Sequence, residues 1–138
     1  MIVKNESHII KSTLENILQN MKIDYWVISD TGSTDNTMDI IQDFFSERNI
    51  EGEMFQDKWV DFGHNRTKML EHAYNKSDYI FIFDADDLIS GKIVLPEPLV
   101  NDMYDVPFEN PISYHRSIII SNLLRGKYRG GFHEILTN

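Results

Sequence analysis

The chain has 138 residues, 41% of them hydrophobic, and no cysteine, which is enough for one buried core and excludes a disulfide framework or a thiolate metal site. Its 22 acidic against 13 basic residues leave a net charge of −9, so it is a poor general binder of nucleic acid, which needs a basic face. No apolar stretch is long enough to cross a bilayer, and "MIVKNES" lacks a signal peptide's apolar centre; the expectation is a cytoplasmic domain that does not span a membrane.

In chain order, "MIV" reads as a short strand. Ile10, Leu14, Ile17, Leu18 and Met21 then recur on one helical face. "YWVIS" at 25–29 is a buried β-rich run ending in the turn and cap residues "DTGSTDNT". Met38, Ile41, Phe44 and Phe45 give a second helix, "EMFQ" at 53–56 a short strand, and Phe62, Met69, Leu70 and Ala73 a third helix. "DYIFIF" at 78–83 is the strongest strand. Strands alternating with helices predict an α/β fold of three layers with a mostly parallel central sheet. Beyond residue 90, four prolines fall between 96 and 111, "SYHRSIIIS" reads as a strand, and Gly130 and Gly131 precede "FHEIL". The expectation is one domain over 1–138, with a regular α/β half at 1–90 and an abbreviated, irregular half at 91–138.

In open α/β sheets ligands bind at the carboxyl ends of the strands. Here those ends carry Lys4-Asn5-Glu6, Asp30, and Asp84-Ala85-Asp86-Asp87. Asp30 also suits an Asx turn, and Asp35 suits an N-cap for the second helix. Three acids within four positions repel one another unless water, a cation or an arginine compensates. An acidic protein handles phosphates through a divalent cation, and hard oxygen donors favour Mg or Mn.

"MIVKNE", "SDTGSTDNT", "GHNRTKMLEHA" and "DADD", in this order, resemble the family 2 glycosyltransferases of the nucleotide-diphospho-sugar transferase (GT-A) fold. "YRGGFHEIL" is similar to a Gly-x-x-His-Glu segment in one branch of that family. The resemblance spans residues 1 to about 136, and it implies that 1–90 is the nucleotide-binding half and that 91–138 is an abbreviated half that closes the acceptor and metal side. It implies a metal-dependent transferase that moves a sugar from a UDP-sugar to the hydroxyl of a glycan, protein, lipid or small molecule, with inversion. It implies that Val3, Asn5 and Glu6 border the base and ribose, that Asp30 bonds the base, and that Asn65 and Arg66 face the nucleotide. Asp84, Ala85 and Asp86 match the DXD motif, and Asp84, Asp86 and His133 would ligate the metal. Glu134 and Asp87 are the candidates for general base.

Simpler roles stand beside these. His133 also suits a structural histidine, Arg66 a helix-surface ion pair, and Trp59, a candidate cover for the crevice, a core position, while His64, His72 and His115 read as structural or exposed. A Mg-dependent phosphatase of the haloacid-dehalogenase type also places D-x-D after a strand, but wants Thr or Val where this chain has Leu88. A catalytically incomplete nucleotide-sugar-binding module, or a fragment of a larger transferase, is the alternative function.

Overall fold

The computed structural model describes residues 1–89, 99–106, 116–122, 127–129 and 135–137. Its elements are β1 (Ile2–Val3), α1 (Ile10–Asn20), β2 (Tyr25–Asp30), α2 (Thr37–Glu47), β3 (Glu51–Gln56), α3 (Phe62–Ala73), β4 (Tyr79–Phe81), β5 (Met103–Val106), β6 (Arg116–Ser121), β7 (Lys127–Arg129) and β8 (Ile135–Thr137). The first three strands form a parallel sheet in the order β1-β2-β3, with Val3 opposite Asp30 and Asp30 opposite Gln56. Their carboxyl ends are therefore level. The later strands are antiparallel, β4-β6-β5 and β7-β8.

The helices form where the apolar periodicity places them. Ile10, Leu14 and Ile17 of α1 and Ile41, Phe44 and Phe45 of α2 enter one core with Val3 and Ile28. Met69 and Leu70 of α3 enter another with Ile82 and Ile120, against which Ile2 packs. Neighbouring residues of a strand point to opposite faces, so Ile2 and Val3 assign the two cores to the two sides of the first sheet. Helices thus cover both faces, as the expected three-layer α/β architecture requires.

Two details differ from the sequence reading. The run at 78–83 pairs over only three residues, antiparallel to β6. Beyond Phe81 it continues as a packed segment, with Ile82 in one core and Phe83 in the other. Trp59, which suited a core position, is 39% exposed, in a turn that leaves the edge of the first sheet. Among the described residues no helix is long and apolar enough to cross a membrane.

Candidate active site

The segment after β4 folds into a tight turn. The Asp87 amide donates to the Asp84 carbonyl at 3.1 Å, the i to i+3 bond of a β-turn. This curls the chain so that Asp84, Asp86 and Asp87 each present a carboxylate oxygen, all within 4.8 Å of one another. Ala85 points into the core, 4% exposed, while Asp86 is exposed. Helix α1 anchors the turn: Thr13 Oγ1 donates to the Ala85 carbonyl at 2.7 Å. The Asn16 side chain donates to the Ile89 carbonyl at 3.0 Å and accepts from the Ile89 amide at 2.7 Å. Neither residue stood out in the sequence, although a threonine inside an apolar helical stripe was the available signal; Thr13 is 5% exposed.

Arg66 supplies part of the positive charge that the acids need. Its Nη2 donates to both Asp84 oxygens, at 3.0 and 3.1 Å, with both side chains mostly buried. Helix α3 presents it there. The helix begins at the Asp61 cap, whose carboxylate accepts from the His64 amide at 2.7 Å, and Arg66 follows one turn later. Asn65 does not share that outlook. It is 0% exposed, accepts from the Val60 amide at 2.8 Å and donates to the Lys58 carbonyl at 3.0 Å. The resemblance led to the expectation that Asn65 faces the nucleotide; in this structure its buried amide turns inward and fixes the preceding loop.

The first two strand ends are laced together. Asn5 sits at a positive φ of 51°, a conformation asparagine tolerates. From it the side-chain oxygen accepts from the Thr34 amide at 2.7 Å and the Asp35 amide at 3.3 Å. The Glu6 amide donates to Thr37 Oγ1 at 2.9 Å, and the Ser7 amide to Asp35 Oδ2 at 3.3 Å. Asp35 also accepts from the Thr37 amide and hydroxyl. The Thr37 hydroxyl bond, aided by that from Ser7, holds its carboxyl at about 2. It caps the start of α2 from one residue outside Asn36, the N-cap. Val3, 1% exposed, contributes its carbonyl to the Thr31 amide and a side chain to the core.

Asp30 forms the turn that its position suited. Oδ1 accepts from the Gly32 and Ser33 amides at 2.9 and 2.8 Å, an Asx-type turn, and Gly32 takes a φ of 120° that favours glycine. Oδ2 is buried and has no hydrogen-bond partner among the described residues. A buried carboxylate oxygen left unmatched is costly. Nearby, burial first and the Asp86 charge second push the Glu6 carboxyl above its usual range. Glu6 therefore shares the field of the acidic turn.

Hard carboxylate donors at this spacing suit Mn or Mg, because such ions take oxygen ligands. His133 and Glu134 lie outside the described residues. A separate cavity of about 390 Å³ is lined by Leu14, Ile17, Tyr25, Trp26, Tyr79 and other residues. Tyr25 and Tyr79 open their strands, the opposite end from Asp30 and Asp84, so the cavity is set apart from the acids.

Comparison with known proteins fits this geometry. A family profile described as glycosyl transferase family 2 matches residues 1–122. The SPbeta prophage-derived glycosyltransferase SunS of Bacillus subtilis (strain 168) is 38% identical over 98 residues, covering 67% of this chain and 21% of its own length. Glycosyltransferase SunS of Bacillus phage SPbeta matches equally. The chain thus spans about a fifth of the length of these relatives. Among solved structures, the mannosyltransferase PcManGT from Pyrobaculum calidifontis, in complex with GDP-Man and Mn2+, superposes with a TM-score of 0.56 at 21% identity, over 66% of this chain and 27% of that one. It shares the GT-A, Rossmann-like fold.

Proposed function

The chain belongs to glycosyl transferase family 2, and from that premise we propose that it transfers a sugar from a nucleoside-diphosphate donor to an acceptor hydroxyl, using a divalent cation. The observation that carries this reading is the Asp84–Asp87 turn, three clustered carboxylates at a strand end on the same side of the fold as the unmatched Asp30 oxygen. Asp30 Oδ2 accepts an N–H of the base, and Asn5 and Glu6 border the ribose. Asp84 and Asp86 would hold the cation, and Arg66, already on Asp84, keeps that carboxylate in place. His133, which lies outside the described residues, would be a further ligand. A bound Mn or Mg ion supplies charge neutralisation for the departing diphosphate.

The acceptor oxygen bonds to the anomeric carbon as the bond to the diphosphate oxygen breaks, which inverts that centre. The acceptor proton passes to Asp87 or Glu134, and the nucleoside diphosphate leaves with the bond electrons. A UDP-sugar is the donor the sequence resemblance favours, while the solved neighbour holds GDP-Man. The test is release of free nucleotide from a panel of UDP- and GDP-sugars with Mn and with EDTA. Metal-dependent release from at least one donor is expected, and no release from any donor overturns the enzymatic reading. The chain's small share of its relatives' length favours one second reading, a donor-binding module whose acceptor site lies elsewhere; metal-dependent binding without release selects it.

A further inference from the structure

Trp59, Val60 and Phe62 are 39%, 55% and 47% exposed, a concentration of apolar surface in the turn from β3 to α3. The Trp59 and Phe62 rings meet edge to face, centroids 4.8 Å apart at 84°. The Arg66 guanidinium stands over the Phe62 ring, 5.4 Å from its centre, and the same guanidinium bonds both oxygens of Asp84. The aromatic ridge is thereby joined to the acidic turn, the reacting end of the site, through Phe62, Arg66 and Asp84.

Buried Asn65 governs how this ridge can be used. It binds the Val60 amide and the Lys58 carbonyl, one on each side of Trp59. Those contacts fix the backbone on either side of Trp59 before any ligand arrives, which reduces the ordering cost of binding. They also occupy the two polar backbone groups nearest the ring, the Val60 amide and the Lys58 carbonyl. What remains on offer is ring faces, and flat apolar faces match the C–H face of a pyranose ring, whose hydroxyls stay in water at its rim.

We propose that the Trp59–Phe62 ridge is the acceptor platform of this chain, and that the acceptor it takes is a neutral saccharide. The proposal rests on the transferase reading above, and the experiment separates the two. Saturation-transfer NMR on the full chain uses the methyl glycosides of glucose, galactose, mannose and N-acetylglucosamine, each with Mn and UDP or GDP. At least one glycoside is expected to receive saturation at its ring C–H protons. Trp59→Ala should weaken that glycoside about tenfold while nucleotide affinity holds, and Trp59→Phe should retain most of the binding. Absence of any glycoside signal from the wild-type chain overturns the proposal, as does a Trp59→Ala variant that binds glycoside unchanged. A parallel loss of nucleotide affinity in Trp59→Ala would place a base on the ridge instead. Saturation of an apolar tripeptide amide, and of no glycoside, would identify a peptide acceptor and reject the saccharide. If glycoside binding depends on Trp59 but no nucleotide binds at all, the platform stands and the donor reading falls.

Discussion

Arg66 and Asp84 form a charge pair whose side chains are 13% and 23% exposed, close enough to burial that losing one partner leaves the other's charge less compensated. Arg66→Ala is expected to destabilise the fold by about 1–3 kcal/mol, the range for a lost charge-assisted bond. A cation can stand in for the missing guanidinium among the carboxylates. Mn should therefore raise the melting temperature of Arg66→Ala more than that of the wild-type chain, and equal shifts would separate Asp84 from the metal. At this scale the sequence conveyed residue type better than residue task. Asp30 and the three clustered acids were legible because charge at a strand end demands compensation. The inward turn of Asn65 was not legible, because the neighbours "HNRT" carry no sign of which side chain turns inward. That depends on the phase of α3 against the sheet, a property of the assembled fold.

Two elements carry predictions of their own. In β3, a methyl group added at Gly52 would lie 2.2 Å from the Trp26 ring, and that ring is stacked on Phe45 at 4.8 Å. Any retreat of the ring breaks that stacking contact. Gly52→Ala should cost about 1–3 kcal/mol by overpacking, measurable by urea denaturation. The interlaced loops after β1 and β2 depend on ionised Asp35, held at about 2 against an ordinary 3.8, chiefly by its Thr37 hydroxyl bond. A carboxyl depressed in the folded state adds stability above its unfolded value and loses it as pH falls through the folded one. Protection of the Ser7 and Thr37 amides from hydrogen exchange should thus decline between about pH 4 and pH 2, and protection constant across that window would separate the clasp from Asp35. All three helices followed from apolar spacing, α3 from Phe62 to Ala73. The short pairing of β4 did not, since the run "DYIFIF" says nothing about where its ladder ends and its packing against two cores begins.

For the whole molecule, alternation of strands and helices was enough to give the α/β class, because helices between strands force parallel crossovers. The level carboxyl ends of the first sheet then put Asn5, Glu6 and Asp30 on one side. The family match sets aside the phosphatase that D-x-D alone also suited. The closing residues His133 and Glu134 were legible only through resemblance to the family, because no periodicity or partner in the sequence ties them to the acids. With a net charge of −9, an unassisted diphosphate meets repulsion on approaching this chain, so the central claim is that a cation held by Asp86 and its neighbours admits it. Calorimetry of UDP and GDP binding, with Mn and with EDTA, tests this most directly. The expected result is binding of at least one nucleotide that strengthens more than tenfold with Mn, about 1.4 kcal/mol or more, a gain that Asp86→Ala abolishes while leaving the fold intact. Equal affinity with Mn and with EDTA, or a gain that survives Asp86→Ala, would contradict it.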